Sequence, residues 1–319
     1  MPAIAALLLT GYLVGSPVRF TIAAGAAFPV GFGAARDLLG WRWGAMVAAM
    51  LSMTFATFIG AVAGGHPTVF VAIACLAAAG CATIALYNED RWWIVLQAVI
   101  ALLVSSNYPG TVHAALQRSA AVCLGGLCQV AIVATLAWLF PRSGARLPQG
   151  PSREKPTRRL LISHALRAAV CVGLAFIIAH ALGLANSYWA PMSALLILKP
   201  GLHETQARGA ARLGGTVLGG VAATAFAILM KTQPLPLIAG VALTAGCAFA
   251  LQKAHYAALT CAITATVVLL LSLGNGAALA NTEHRLIATA LGGLIALVTA
   301  RIAPHHPALA HAGTDSVGS

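Results

Sequence analysis

Asn186 to Gly220 reads NSYWAPMSALLILKPGLHETQARGAARLGGTVLGG. An uncharged apolar run ends at Lys199-Pro200-Gly201, a turn follows with Glu204, Arg208 and Arg212, and Gly214-Gly215-Thr216 opens the next apolar run. The apolar residues fill all sides of a helical wheel rather than one stripe, and they do not alternate with polar ones as barrel strands must. Helices of this kind persist where lipid or protein surrounds them. The same punctuation of Ala/Leu/Val runs by Pro, Gly and isolated charges extends in both directions from this stretch.

Of the 319 residues 60% are hydrophobic and 8% charged, against roughly 25% charged in a soluble domain. The 15 prolines and 32 glycines are tolerated in bilayer helices, where neighbouring helices satisfy the freed backbone groups. Breaks in the apolar pattern give candidate spans near 3–16, 18–34, 44–64, 68–87, 92–107 and 117–140, then 162–182, 188–199, 212–230, 235–251, 255–273 and 285–303. Segments 3–16 and 188–199 are shorter than the ~17 residues of an untilted span and read equally as broken or re-entrant helices. The pattern predicts an all-α, polytopic transmembrane protein of about 12 spans (10 to 12) as two parallel six-helix repeats. Its regions are a first transmembrane repeat at 1–140, a basic linker at 141–160, a second repeat at 161–303 and a tail at 304–319.

Internal similarity supports the two halves. Ala79-Gly80-Cys81-Ala82 matches Ala245-Gly246-Cys247-Ala248, and Gln117-Arg118 before Gly125-Gly126 matches His284-Arg285 before Gly292-Gly293, at offsets of 166 and 167. Upstream, Pro29 falls against Pro200 and Arg42 against Arg212, at 171 and 170. Pro29, Pro200 and Gly201 are accordingly candidate structural turns. Gly60xxxGly64 and Gly215xxxGly219 are faces for close helix packing.

The formal charge of +12 follows the positive-inside rule rather than a nucleic-acid surface, because no basic run is interleaved with exposed aromatics. The linker holds Arg142, Arg146, Arg153, Lys155, Arg158 and Arg159, which places it in the cytoplasm. Threading from there leaves only Arg19, Arg118, Lys231 and Arg285 of the 19 basic residues toward the other side. Both termini are then cytoplasmic. Trp41, Trp43, Tyr87, Trp92, Trp93, Tyr188, Trp189 and Tyr256 fall at span ends, where interfacial anchors belong.

No phosphate loop, HExxH, GxSxG or Ser/His/Asp arrangement occurs, so neither ATP hydrolysis nor catalysis is indicated. The seven cysteines lie in apolar runs without a CxxC pair, and His305, His306 and His311 form only a tail cluster. No metal and no cofactor is expected. Pro200 breaks the backbone ladder after a short span, which requires a cavity or protein to receive the freed groups. Lys199, Arg208 and Arg212 surround that break with fixed positive charge, the two arginines four residues apart on one face. A helix starting near 207–213 would add its positive dipole end, an arrangement suited to a carboxylate. The same three charges also fit plain headgroup anchors. Arg118 and Arg285 are matched charges near the outer ends of the last helix of each half, expected to snorkel outward or face a wet vestibule. Glu283 beside Arg285 is a ready pairing partner. Glu204 is the one carboxylate in the turn, a candidate for proton coupling.

In order, Tyr188-Trp189-Ala190, Lys199-Pro200-Gly201, Glu204-Thr205, Arg208, Arg212 and Gly214-Gly215-Thr216 resemble the fusaric acid resistance protein-like family of bacterial membrane proteins, over about residues 162–303. That family includes aromatic acid exporters, and its wider clan includes plant malate-permeable anion channels. The resemblance implies a secondary transporter of the cytoplasmic membrane that exports small organic anions, aromatic carboxylates in particular. It makes Tyr188 and Trp189 candidate substrate contacts alongside Lys199, Arg208, Arg212, Arg118 and Arg285. A periplasmic adaptor protein or a homo-oligomer is the candidate partner, besides the lipid bilayer. A passive organic-anion channel and a non-transporting scaffold are the alternatives. The first half lacks the Tyr-Trp-Ala and Gly-Thr elements, and the linker replaces the larger cytoplasmic domain of bigger family members.

The charge division predicts that Ser152→Cys, in a cysteine-free background, is protected from a membrane-impermeant thiol reagent in intact cells and labelled after permeabilisation. Labelling of intact cells would overturn the threading.

Overall fold

The computed structural model describes residues 1–38, 40–140, 156–184, 186–230, 233–253, 255–275 and 278–302. Helix boundaries follow local chemistry. Proline occupies the first turn of α1 (Pro2–Leu13), α2 (Pro17–Gly31), α4 (Pro67–Tyr87) and α10 (Pro234–Ala250), where its missing N–H costs nothing. The Asn88, Thr111 and Thr157 side chains accept backbone N–H groups at the starts of α5 (Glu89–Ser106), α6 (Val112–Leu139) and α7 (Arg158–Ala181). The remaining helices are α3 (Gly44–Ala63), α8 (Trp189–Ile197), α9 (Leu202–Leu229), α11 (Tyr256–Asn275) and α12 (Ala278–Ile302). A short 3-10 turn, Phe32–Ala35, extends α2.

The all-helical expectation holds: among the described residues there are twelve α-helices, each overlapping one of the apolar segments, and no strand. Eight of them, α3, α4, α6, α7, α9, α11, α12 and α2 with its 3-10 extension, are long and apolar enough to cross a bilayer. Of the two doubtful segments, α8 has nine residues, which reach about 13 Å, and α1 has twelve, about 18 Å, both short of the ~30 Å hydrocarbon core. Phe55, Leu76 and Leu243 are largely exposed on the outer surface, an arrangement that lipid satisfies and water does not.

Helix pairings recur between the halves. α3 packs on α5 and α9 on α11; α2 packs on α6 and α8 on α12; α3 also meets α6, and α9 meets α12. One pairing crosses over: α4 packs on α7, and α10 on α1. Each half therefore lends a helix to the other. A Cβ on Gly125 would collide with the Ala23 carbonyl, and one on Gly292 with the Ala190 carbonyl. Both members of these contacts are related by 167 positions. The Gly60xxxGly64 face lies on Leu102 and Ser106, and the Gly215xxxGly219 face on Ala257 and Cys261, so both motifs are packing surfaces.

Two expectations are corrected. Pro29 lies inside the last turn of α2, not at a turn matching Pro200. At an offset of 167 Pro200 corresponds to Gly33, in the 3-10 segment, and the upstream match at 171 was one helical turn out of register. Pro29 lacks the N–H that would bond the Gly25 carbonyl four residues back, so α2 loses one hydrogen bond in its last turn. Second, α9 begins at Leu202 rather than within 207–213, so Arg208 and Arg212 stand two and three turns inside it, beyond the reach of its terminal dipole. Residues 141–155 of the linker, Lys231 and the tail, with His305, His306 and His311, lie outside the described residues.

The packing predicts that Gly292→Val lowers stability by about 1 to 3 kcal/mol, because the facing backbone of α8 has no slack. Gly214→Ala, where a Cβ meets nothing within 4 Å, should be neutral or gain up to about 1 kcal/mol of helix propensity. Thermal melting of purified protein in detergent reads both.

Candidate functional site

Helix α8 is buried on every side, yet it ends abruptly at Lys199-Pro200-Gly201. Its last carbonyls are received by side chains. Arg208 Nε donates to the Leu196 carbonyl at 3.0 Å, and the Arg167 guanidinium donates to the Pro200 carbonyl at 3.2 and 3.3 Å. The Thr205 hydroxyl accepts the Lys199 N–H at 3.1 Å and lies 2.8 Å from the Gly201 carbonyl. Thr205 thereby knots the turn and lets α9 start at once.

Around this break Lys199, Arg208, Arg212 and Arg285 each meet an aromatic side chain. Lys199 Nζ lies 4.9 Å from the centre of Trp92, and the Arg208 guanidinium 4.1 Å over Tyr256. Arg212 Nη1 reaches the Tyr256 hydroxyl at 3.4 Å. Arg285 stacks on Trp189 at 3.8 Å and donates Nη2 to Thr264 at 3.3 Å. Tyr188 is packed on Trp189, ring centres 4.9 Å apart, and lies within electrostatic reach of both Arg285 and Tyr108. Tyr108 carries Arg118 on its face at 4.3 Å. A file of cations and rings thus leads from the Lys199 turn, beside the end of the bundle where α7 begins, to the Tyr108 loop at the opposite end.

The middle of the file is dry. Arg212 is 7% exposed and Arg285 is 3% exposed. Arg212 stands ten residues into α9, about 15 Å from its start, and Arg285 seven residues into α12, about 10 Å from its start. Arg212 Nε and Arg285 Nε and Nη1 are buried without a hydrogen-bond partner. Among the described residues the one ion pair is Arg36 with Asp90, at 3.0 Å on other elements. An arginine at the centre of a membrane helix costs about 2.5 to 3.5 kcal/mol on insertion scales, and a desolvated cation–π contact returns about 2 kcal/mol. Trp189 covers part of the deficit of Arg285 and leaves its open N–H groups without an acceptor.

The structure brings together Lys199, Arg208, Arg212, Arg285, Tyr188 and Trp189, and places Arg118 at the far end of the same file. It corrects three expectations. Arg285 does not snorkel outward; it turns into the bundle because Trp189 and Thr264 receive it there. Glu283 is exposed and does not pair with it. Tyr188, Trp189 and Tyr256 are interior rings rather than interfacial anchors: Tyr188 and Trp189 are buried, and Tyr256 lies beneath Arg208 and Arg212. Glu204 is exposed on the first turn of α9, within electrostatic reach of Lys199. In the turn, burial and then the charge of Arg208 push the Lys199 ammonium down to about 8, with Glu89, Tyr256 and Glu204 acting the other way.

Sequence reasoning gave no site role to Thr205, Thr264, Tyr108 and Arg167, and read Tyr256 and Trp92 as interfacial anchors. A signal existed for the central ones. Arg208, Arg212 and Thr216 on α9 and Tyr256, Thr260 and Thr264 on α11 each recur every four residues, two polar stripes that face each other across the α9 and α11 contact.

The class of protein is now defined: a polytopic helical membrane protein whose interior carries a file of unneutralised cations. Residues 174–299, which hold every residue of the file except Trp92, Tyr108 and Arg118, match the family model described as fusaric acid resistance protein-like. No curated protein and no solved structure matches the chain.

Thr205→Val should cost about 1 to 3 kcal/mol, the penalty for leaving the buried Lys199 N–H unmatched, while Thr205→Ser retains most of the stability. Unfolding monitored by tryptophan fluorescence in detergent distinguishes the two.

Proposed function

We propose that the chain is a secondary transporter exporting small organic anions, aromatic carboxylates in particular, across a bacterial inner membrane. The observation that carries this reading is the pair Arg212 and Arg285: buried, within electrostatic reach of each other, and holding N–H donors that no protein group accepts. Buried cations in membrane helices are expensive and are retained where a ligand or ion uses them. A carboxylate supplies what is missing, since its two oxygens accept from planar guanidinium forks at close range. A transported anion must also be released, and the stacked rings support this by holding each arginine between visits.

In this reading the Lys199 turn is the cytoplasmic mouth and the Tyr108 loop the exit, in keeping with the basic linker lying inside. Both termini are cytoplasmic. Two parallel six-helix repeats are supported by the recurrent helix pairings and by the shared 167-residue spacing of the Gly125 and Gly292 contacts. The paired carbonyls around Pro200 hold the break in α8 open as a fixed part of the path rather than a hinge. Glu204, exposed beside Lys199, is the candidate coupling carboxylate: its protonation would remove a negative charge at the mouth. A periplasmic adaptor or a second copy of the chain would receive the exported anion at the Tyr108 end.

Transport by proteoliposomes under a proton gradient tests the reading. Arg212→Gln should raise the apparent KM for an aromatic carboxylate at least about tenfold, since a charge-assisted contact is worth about 1.5 to 3 kcal/mol, and Arg212→Lys should recover part of the loss. Arg285→Gln should abolish most flux while raising the melting temperature, because it removes an uncompensated buried charge. Unchanged KM in the first variant together with normal flux in the last would leave both residues purely structural.

A further inference from the structure

The two halves pack alike, but their interiors differ in kind. The contacts of Gly125 with Ala23 and of Gly292 with Ala190 fix an offset of 167 for α2 and α6 against α8 and α12. The same offset fits α3 and α5 against α9 and α11, since Ala48 packs in a cluster with Trp93 as Gly215 packs on Thr260. At this register the residues of the first half that correspond to Lys199, Arg212, Thr216 and Thr260 are Phe32, Ala45, Ala49 and Trp93.

Those four residues form one apolar cluster with Ile94. Ala45 and Ala49 are completely buried, and Trp93 is 6% exposed. Phe32 also joins Phe28 and Phe249, with ring centres 4.8 Å apart for Phe32 and Phe249 and 5.3 Å for Phe28 and Phe32. The nearby cation, Arg36, lies over the Trp93 ring at 5.0 Å and is neutralised by Asp90 at 3.0 Å. Where the second half leaves buried guanidinium groups without a carboxylate, the first half supplies hydrocarbon and a cation whose charge Asp90 balances, although Arg36 Nε also lacks a hydrogen-bond partner.

We infer that each chain holds a single anion site and a single path, in the second half, and that the equivalent position in the first half is a hydrophobic seal. An anion entering the seal would lose its hydration among alkyl and aromatic groups and meet, as its nearest cation, Arg36 already held by Asp90, a cost that excludes it. The first half contributes Arg118, the counterpart of Arg285, at the exit of the path with Tyr108 beneath it, and Trp92 beneath Lys199. It serves as the frame against which the conducting half is held, through the crossed pairings of α4 with α7 and α10 with α1. This inference rests on the transport reading and adds its stoichiometry.

Equilibrium dialysis of the purified full-length protein against radiolabelled benzoate, with a panel of aromatic and aliphatic carboxylates as competitors and as further labelled probes, tests it. Wild-type protein should bind one anion per chain, and Arg285→Gln and Arg212→Gln, each verified as folded by its melting transition, should bind at least tenfold more weakly with no residual tight site. Two anions per wild-type chain, or one tight site retained in both variants, would overturn the single-site inference while leaving transport itself intact. If no member of the panel either binds or moves across proteoliposomes, both the inference and the transport reading fall together.

Discussion

A guanidinium withdrawn from water has to be answered by an acceptor, by the face of a ring or by a visiting anion, and Arg285 receives only part of that answer from the protein. Trp189 covers its face at 3.8 Å and Thr264 takes one N–H group, while two of its nitrogens point at no acceptor. Nearly everything distinctive about the fold prepares this situation. The short α8 delivers Trp189 to the interior instead of to the surface, and the Gly292 contact brings α12 close enough to α8 for the stack to form. The turn at Pro200 in turn makes α8 short. Removal of any of these would let Arg285 reach headgroups or water, and the file of cations would become a row of ordinary anchors.

The break in α8 shows how a backbone interruption is stabilised away from water. Three side chains from two helices, Arg167, Thr205 and Arg208, hold the turn's exposed groups. Arg208 therefore serves two ends at once, bonding a carbonyl through Nε while its face covers Tyr256. A positively charged mouth and a satisfied helix end are built from the same residue. This economy is available because a guanidinium offers five donors in a plane and leaves its flat face for a ring.

Small residues explain why two halves of similar sequence pattern become one body. In lipid the hydrophobic effect does not drive helices together, so close van der Waals packing must do so. Gly125, Gly292 and the two GxxxG faces let backbones touch, and the exchange of α4 and α10 between halves commits the repeats to each other. The interiors of the two halves differ: the second holds buried arginine donors without acceptors, while the first packs Phe32, Ala45, Ala49 and Trp93 together.

The sequence by itself determined the solvent, the helices and the family resemblance of the second half. Runs of apolar residues on all sides of a helix have one stable environment, and prolines at first turns and capping Asn and Thr mark the ends, so twelve segments were legible, although α9 and α12 begin ten and seven residues before the expected starts. Charge asymmetry and the GxxxG spacings were legible for the same reason, being properties of single helices. Only the tertiary structure decided which cations are buried. Arg118 and Arg285 occupy matched positions in the sequence, yet one is half-buried over Tyr108 and the other sealed against Trp189. The difference lies in what the neighbouring helix presents at that depth, Ile22 or Trp189 at the 167-residue register, and in whether a polar stripe on α11 faces it. Pairwise depth between helices is set by packing, and no periodicity within one helix encodes it.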